Sequence, residues 1–342
     1  MLSSLLLLAL PALIHANPLN LVVTTGGGYT LSSPTWPNLV LQSAPMSILQ
    51  NGVMVPVSLL GGAETSVGVD SWGAYNATTL SWALPTTTTP IIVTTFMVYS
   101  TTPAVLFKAS FPNGLTTGEG ETTGDKEGVA NTFPSFQLPA AGSPLGFLQW
   151  AGPFINNGLK GPQFGPFAQP GKDIVSGLSS GPIVIMDASG AASLMLSSAS
   201  EFMAVSANVS TTGDALSFGP MGSFATLPIN YSYSCVAWMG AGINANIQAW
   251  GAGLMRKYGK PHGLSKVDFT NTHLIYNTDH GAYYYCKCAC VVLHSCFFPL
   301  YLHIFPPYST FSIHTPPPLR QHPKLLKLLG GPGCRVRILP VR

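Results

Sequence analysis

From Leu19 to Met239 the chain repeats short hydrophobic runs, separated by clusters of glycine, proline, asparagine or threonine. Several runs alternate apolar and polar residues, and this period of two is typical of strands with one buried face. The clearest runs are NLVLQSA, VMVPVSLL, IIVTTFMVYS, AVLFKASFP, PIVIMDA, SLMLSSAS and NYSYSCVAWM. Strands of this kind, with turn residues between them, predict an all-β fold with a large antiparallel β-sandwich over residues 17–240.

One of these runs also predicts the state of a cysteine. In NYSYSCVAWM, alternate positions place Tyr231, Tyr233, Cys235 and Ala237 on one face of the strand. Because that face is apolar, we expect Cys235 to be a buried and unreactive thiol.

The first helical pattern comes late, in the stretch INANIQAWGAGLMRKYG. Its large apolar residues recur at helical spacing and form one stripe, made of Ile243, Ile247, Trp250, Leu254 and Tyr258. Arg256 and Lys257 lie in the last turn, and Gly259 follows as a C-terminal cap. We therefore predict a helix from Ile243, with no helix of three turns before it.

The segment from Thr116 to Thr132 interrupts the strand pattern. Its one large apolar residue is Val129, so the pattern predicts an exposed loop. The loop also contains three carboxylates that suggest calcium ligands, Glu119, Glu121 and Asp125. Their spacing matches no calcium loop, and we favour a solvated loop.

Charge is scarce and unevenly placed. Charged residues make up 8% of the chain, and residues 1–254 hold four Lys or Arg against ten Asp or Glu. After Tyr285 there are seven bases and no acid. A nucleic-acid-binding protein would spread its bases over a folded face, so no nucleic-acid partner is expected.

The N-terminus carries the pattern of an export signal. MLSSLLLLALPALIHANP contains an apolar run from Leu5 to Ile14, with Ile14 and Ala16 at the −3 and −1 positions of a cleavage site. We expect a signal peptide over residues 1–16 and a secreted protein. Three Asn-x-Ser/Thr sequons agree with export and predict N-glycosylation at Asn76, Asn208 and Asn230.

A set of segments in colinear order carries a family resemblance. The segments are PAVLFKASFPNGL, FPSFQL, LGFLQWAGPF, SGPIVIMDASGAASLMLSSASEFMAVSANVS, WGAGLMRKYGK and LIYNTDHGAYYY. Together they resemble the N-terminal half of secreted proteins related to raffinose synthases and to α-galactosidases of glycoside hydrolase family 36. The resemblance covers roughly Gly26 to Tyr285. It implies that residues 241–285 form a linker helix and the first strand of an incomplete (β/α)8 barrel.

The same resemblance implies a sugar-binding site at that first barrel strand. The usual motif is close to LGYWTDNGAYYYY, and this chain differs from it at Ile275, Asn277 and His280. A carboxylate at the C-terminal end of a barrel strand points into the mouth where substrates bind. The implied substrate-binding residues are Asp279, His280 and Tyr276. The alternative is that Asp279 caps a turn.

Catalysis is not expected from the chain as written. Retaining glycoside hydrolysis needs two carboxylates about 5 Å apart, and the family supplies both from later barrel strands. No Asp or Glu follows Asp279. We therefore predict no catalytic residue, no cofactor and no metal site.

Three interpretations compete for the tail, residues 286–342. A metal site would use a cluster of soft ligands at a spacing that is not standard for zinc, Cys286, Cys288, Cys290, His294 and Cys296. A membrane span would use ACVVLHSCFFPLYLHIF, which contains two histidines and Pro299. We favour the third interpretation, an unstructured Cys- and Pro-rich basic tail that stems from untranslated or misframed nucleotide sequence.

The leading hypothesis is the non-catalytic N-terminal region of a secreted α-galactosidase- or raffinose-synthase-like glycoside hydrolase, with a galactoside-like carbohydrate as its ligand. The alternative is a carbohydrate-binding or interaction module, secreted or tethered to a membrane by the tail. Exposed aromatic residues on a flat sheet would favour this module. The candidates are Trp72, Trp82 and Trp150, although each is more typical of a core.

Overall fold

The computed structural model describes residues 17–118, 128–151, 162–260 and 266–273. The chain divides into two units, Met1–Leu264 and Ser265–Arg342. In the second unit the described residues contain one short helix, α2 (Phe269–Thr272). None of the helices in the described ranges is long and apolar enough to cross a membrane. The implied first barrel strand and the tail lie outside the described residues.

The described part of the first unit is built from antiparallel strands followed by one long helix, α1 (Ile243–Lys257). The strands of the first half are β1 (Asn20–Val23), β2 (Tyr29–Ser32), β3 (Val40–Gln42), β4 (Ser47–Gln50), β5 (Val53–Pro56), β6 (Ser58–Asp70), β7 (Gly73–Ala83), β8 (Ile92–Tyr99), β9 (Ala104–Phe111) and β10 (Leu115–Thr116). Those of the second half are β11 (Ser135–Gln137), β12 (Leu145–Gln149), β13 (Gln163–Pro166), β14 (Ile183–Asp187), β15 (Ser193–Ser198), β16 (Val205–Val209), β17 (Ala215–Pro220), β18 (Thr226–Leu227) and β19 (Tyr231–Gly240). The predicted all-β fold followed by a helix is confirmed.

Within the described residues, nine strands form the main sheet, in the order β13-β12-β14-β15-β19-β9-β8-β7-β6. Each neighbouring pair is antiparallel, and the register sets side chains in rows across the sheet. For example, Cys235 of β19 lies opposite Phe107 of β9, which lies opposite Phe96 of β8. Because side chains alternate between faces along a strand, this row belongs to one face of the sheet.

Smaller sheets form the second layer of the sandwich. They are β1-β2-β3, β11-β17-β16 and the pairs β4-β5 and β10-β18. Isolated bridges link these strands to residues outside them, such as Phe136 of β11 to Ser43 and Ile48 of β4 to Asn131. The core lies between this layer and the inner face of the main sheet, where Phe107, Phe136 and Cys235 are buried. The predicted burial of Cys235 is confirmed, and burial raises the pKa of its thiol.

The outer face of the main sheet is partly covered by α1. Ile243, Ile247, Trp250 and Leu254 pack on this face, as the sequence stripe predicts, whereas Tyr258 is 43% exposed. The helix ends at Lys257, and after it Gly259 has a φ of +60° while Lys260 N–H donates to Met255 O at 2.8 Å. A hydrogen bond that spans six residues, together with a glycine in the left-handed region, is a common way for a helix to end.

One sequence expectation is wrong in part. Within the segment predicted as an exposed loop, Thr117, Val129, Ala130 and Asn131 are buried. The reason is non-local: Asn131 Nδ2 donates to Ser47 O at 3.2 Å and its Oδ1 accepts from Tyr233 Oη at 2.6 Å. A polar residue with partners so distant in sequence gives no local signal of burial. The three carboxylates Glu119, Glu121 and Asp125 lie outside the described residues.

Candidate functional site

The sugar-binding residues implied by the resemblance, Asp279, His280 and Tyr276, lie outside the described residues. The same holds for the cysteines and histidine of the tail. The candidate chemistry of the described chain therefore lies on the sandwich itself.

The three predicted glycosylation sites differ in their surroundings. Asn76 on β7 and Asn230 in the turn before β19 are exposed, and Asn230 has a φ of +61°. Asn208 on β16 is half-buried and lines a groove on the second layer. Among the described residues, the side-chain amide of Asn208 has no hydrogen-bond partner.

This groove has a volume of about 410 Å³, which lies within the range of small-ligand sites. It forms where β11, β17 and β16 present their outward side chains. Ser135 faces Ser217 and Gln137 faces Ala215, while Ser217 also faces Asn208. The alternate positions, such as Phe136 and Leu216, point into the core and are fully buried. One sheet thus has an apolar inner face and a polar outer face.

A carboxylate lies at the end of the groove, in the turn between β16 and β17. Asp214 Oδ1 accepts hydrogen bonds from Ser210 Oγ at 2.5 Å and Thr212 Oγ1 at 2.6 Å. These two hydroxyl donors lower the pKa of Asp214, since they stabilise its charged form. The groove therefore carries a fixed negative charge at neutral pH.

The two glutamine side chains of the groove differ in their hydrogen bonding within the protein. Gln169 Nε2 donates to Leu138 O at 2.8 Å, which holds Gln169 in place. In the part of the chain that the structure describes, the Gln137 side chain has no such partner, so its amide is available to a ligand. Hydroxyl, amide and carboxylate groups in this arrangement suit a hydroxyl-rich ligand. None of the described residues that line the groove is aromatic, so a sugar ring would find no stacking platform there.

Two other carboxylates of the sandwich, Asp70 and Asp187, accept structural hydrogen bonds. Asp70 Oδ1 accepts from Trp72 N at 2.8 Å and Asp70 Oδ2 from Tyr99 Oη at 2.7 Å. Asp187 accepts from Ser189 and from Trp36 Nε1, and these bonds, Ser189 first, lower the pKa of Asp187. Within the described ranges no group of three or more His, Cys, Asp or Glu side chains could hold a metal ion.

The three candidate tryptophans do not form a flat aromatic surface. Trp72 and Trp82 are buried, with exposures of 4% and 7%, while Trp150 at the end of β12 is 40% exposed. The sequence patterns did not single out the groove. The available signal was the polar alternation of SFQ and ALSFGP, two segments about 80 positions apart that meet only in the folded sheet.

No protein-family model matches the chain, and no curated protein matches it. Solved structures similar to it include an α-N-acetylgalactosaminidase from Bifidobacterium bifidum in its GalNAc complex, with 9% identity, a TM-score of 0.44 and coverage of 72% of this chain and 39% of that chain. Another is the galactosidase domain of an α-galactosidase-sucrose kinase, with 8% identity, a TM-score of 0.39 and coverage of 69% and 42%. A third is a family GH36 α-galactosidase from Geobacillus stearothermophilus in complex with raffinose, with 12% identity, a TM-score of 0.38 and coverage of 67% and 42%. The chain spans about two fifths of the length of these three structures.

Proposed function

We propose that this chain is the N-terminal, non-catalytic sandwich region of a secreted glycoside hydrolase of the α-galactosidase and raffinose-synthase type. The observation that supports this most is the order of the fold. A β-sandwich runs directly into α1, and α1 is fixed to the sheet by buried contacts before the motif LIYNTDHGAYYY begins. A sandwich followed by a helix is the order that the sequence resemblance implies for this part of the chain.

The role proposed for the sandwich is to hold α1, the helix that precedes the implied barrel strand. Asn246 shows how the helix is fixed: its Nδ2 donates to Ser193 O at 3.0 Å and to Trp238 O at 3.1 Å, at full burial. A helix held in this way is fixed to the sheet of the sandwich. In the proposed protein, Asp279, His280 and Tyr276 contact a galactoside-like sugar.

Three carboxylates of the sandwich support the non-catalytic part of the proposal. The mechanism needs two carboxyl groups on either side of one glycosidic bond. Asp70, Asp187 and Asp214 are each held by hydrogen bonds in different turns. Each of these three carboxylates already accepts hydrogen bonds from protein donors. Export over residues 1–16 and glycosylation at Asn76, Asn208 and Asn230 complete the proposal.

The test is hydrolysis of aryl α-galactosides by the purified secreted chain, with Asp279→Asn as the matched variant. We expect neither protein to release the chromophore above background, while both keep the same unfolding midpoint. Turnover that is clear in the parent and lost in Asp279→Asn would contradict the proposal. N-terminal sequencing of the secreted material checks export separately: it should begin at Asn17, and an intact Met1 would count against a cleaved leader.

The polar groove favours a second candidate, a carbohydrate-binding module. It would bind a sugar through Gln137, Asn208 and Asp214 rather than through Asp279. Isothermal titration with galactose and raffinose separates the two candidates. Binding that is lost in Gln137→Ala and kept in Gln248→Ala, a change on the exposed side of α1, would favour the module. A glycan on Asn208 would itself occupy the groove. The titration is therefore repeated with Asn208→Gln, which removes the sequon and keeps a side-chain amide.

A further inference from the structure

One edge of the main sheet is formed by the long strand β6. In the described part of the chain β6 pairs with β7 on one side and with nothing on the other. A bulge interrupts the pairing between Leu60 and Glu64, and regular register then holds from Glu64 to Asp70. Such an edge presents a row of unpaired N–H and C=O groups to which another chain can add a strand.

The inward side of this edge is apolar and open. Val67 and Val69 are 81% and 78% exposed, although they lie on the face that elsewhere forms the core. The second layer does not extend over them. The outward side is different, because the Tyr75 ring lies against Gly68 so closely that a Cβ on Gly68 would overlap it. The unprotected surface is therefore the inward side around Val67 and Val69.

The usual protections of an edge strand are sparse here. Proteins commonly place lysine or proline on an exposed edge, or keep the strand short. The stretch from Ser58 to Asp70 contains neither residue and is 13 residues long. The acids Glu64 and Asp70 stand at the two ends of the regular part and point to the outward side. Apart from the bulge, β6 has none of these protections next to Val67 and Val69.

The neighbouring strand carries a modification sequence at this place. Asn76, of the sequon Asn76-Ala77-Thr78, lies directly opposite Val67 and is exposed. Directly opposed residues share a face with Cβ atoms about 5 Å apart, and the diagonal neighbour Val69 is about 7–8 Å away. Within the described ranges the Asn76 amide has no hydrogen-bond partner. A group attached to its Nδ2 would project from the open side, next to both valines.

We propose that an N-glycan on Asn76 covers the Val67–Val69 edge and keeps it from pairing with other chains. The glycan comes from a polyprenyl-diphosphate-linked oligosaccharide. The Asn76 Nδ2–C1 bond forms, the bond from C1 to the diphosphate oxygen breaks, polyprenyl diphosphate leaves, and one amide proton passes to a base of the transferring enzyme. This inference rests on the export that belongs to the proposed function.

A second copy of the chain fits the edge less well than the glycan. A two-fold antiparallel pairing centred on Val67 would set Glu64 opposite Asp70 of the other copy. Like charges directly opposite each other destabilise a strand pair. Without the glycan we therefore expect association in several shifted registers, which gives mixed oligomers rather than one defined dimer.

The experiment uses the full chain, secreted from eukaryotic cells behind an exogenous leader, so that glycosylation does not depend on residues 1–16. Mass spectrometry gives the occupancy at Asn76, and light scattering after size exclusion gives the share of oligomer. The comparison is between the parent, Asn76→Gln, the control Asn230→Gln at another exposed sequon, and Asn76→Gln combined with Val67→Lys. Unfolding midpoints show that each variant is folded.

We expect an occupied Asn76, a monomeric parent and a monomeric Asn230→Gln. Asn76→Gln should raise the oligomer share about tenfold, because several cross-strand pairs together supply more than about 1.4 kcal/mol. Val67→Lys should restore the monomer. An unmodified Asn76, an Asn76→Gln as monomeric as Asn230→Gln, or oligomers that persist with Val67→Lys would each overturn the proposal. None of these measurements involves sugar binding or hydrolysis, so a failure here is separate from a failure of the proposed function.

Discussion

The two faces of the main sheet are covered in physically different ways. The inner face meets the second layer through clustered aromatic rings, which contact one another at centroid distances of 5.1–6.2 Å and include Tyr29, Phe96, Phe107, Phe133 and Phe136. The outer face meets α1 through fewer side chains and through polar contacts. Trp72 Nε1 donates to Gly253 O at 2.6 Å, and Trp250 Nε1 donates to Ser197 Oγ at 2.9 Å.

The difference concerns which kind of change each interface tolerates. On the inner side the buried rings supply most of the stability of the interface, so a loss of ring volume lowers the free energy of unfolding. On the outer side the backbone of α1 lies directly on a ring: a Cβ on Gly253 would overlap the Trp238 indole. A gain of volume is what this interface cannot accept. The inner face also encloses ionisable groups that are kept neutral.

The largest expected effect is an alkaline loss of stability that originates on the inner side. Burial raises the pKa of Tyr29, Tyr233 and Cys235 above their ordinary values of 10.0 for tyrosine and 9.0 for cysteine. Their neutral forms are therefore favoured in the fold. The stabilisation is complete below the unfolded-state pKa values and is lost as the pH rises above them. Between pH 8 and pH 11 the free energy of unfolding should fall by about 5 kcal/mol.

Urea unfolding at a series of pH values measures this slope. Tyr233→Phe is the sharpest variant, since it removes one of the three groups. It should flatten the slope above pH 10 by about 1.4 kcal/mol per pH unit, while costing some stability at pH 7 because Asn131 Oδ1 loses its donor. A free energy of unfolding that stays constant from pH 8 to pH 11 would contradict the prediction.

Removing a ring from the inner side should give the next largest effect. Phe107 is buried and packs against four other rings. Phe107→Ala should lower the free energy of unfolding by about 3–5 kcal/mol, because the rigid neighbours leave a cavity. Phe107→Leu keeps most of the volume and should cost clearly less. Equal losses for the two variants, measured by urea unfolding at pH 7, would show that ring volume is not what holds this interface together.

Adding a single methyl group tests the outer side. Gly253→Ala should cost about 1–3 kcal/mol, because the new Cβ overlaps Trp238 and must push α1 away from the sheet. Gly251 lies in the same helix two positions earlier, where a new Cβ meets nothing within 4 Å. Gly251→Ala should therefore stabilise the protein by about 0.5–1 kcal/mol through helix propensity. The two variants should shift the thermal midpoint in opposite directions, and a shift in the same direction would contradict the proposed close approach.

Local features of this molecule could be predicted from its sequence, and non-local ones could not. The strands β8 and β9, the helix from Ile243 and its Gly259 cap follow from hydrophobic period and cap chemistry within a few residues. The burial of Asn131 depends on Tyr233, which is 102 positions away. The groove depends on β11, β16 and β17, whose polar faces meet only after the sandwich forms. Burial of polar groups and grooves between strands therefore required the structure.

The smallest expected effect comes from one hydroxyl group under α1. Ser197 Oγ is the acceptor for Trp250 Nε1, and Ser197 is buried. Ser197→Ala removes this acceptor while the indole N–H stays between helix and sheet. We expect a loss of about 1 kcal/mol in the free energy of unfolding.

A second serine separates the hydrogen bond from the burial of a hydroxyl as such. Ser206 on β16 is also buried, but among the described residues its Oγ has no hydrogen-bond partner. Removing an unsatisfied hydroxyl also removes its desolvation cost, so Ser206→Ala should be neutral or slightly stabilising. Urea unfolding of the two variants in parallel gives the contrast. If both replacements lower the free energy of unfolding equally, the Ser197–Trp250 hydrogen bond would not contribute to the outer interface. The two faces of the sheet would then differ in packing alone.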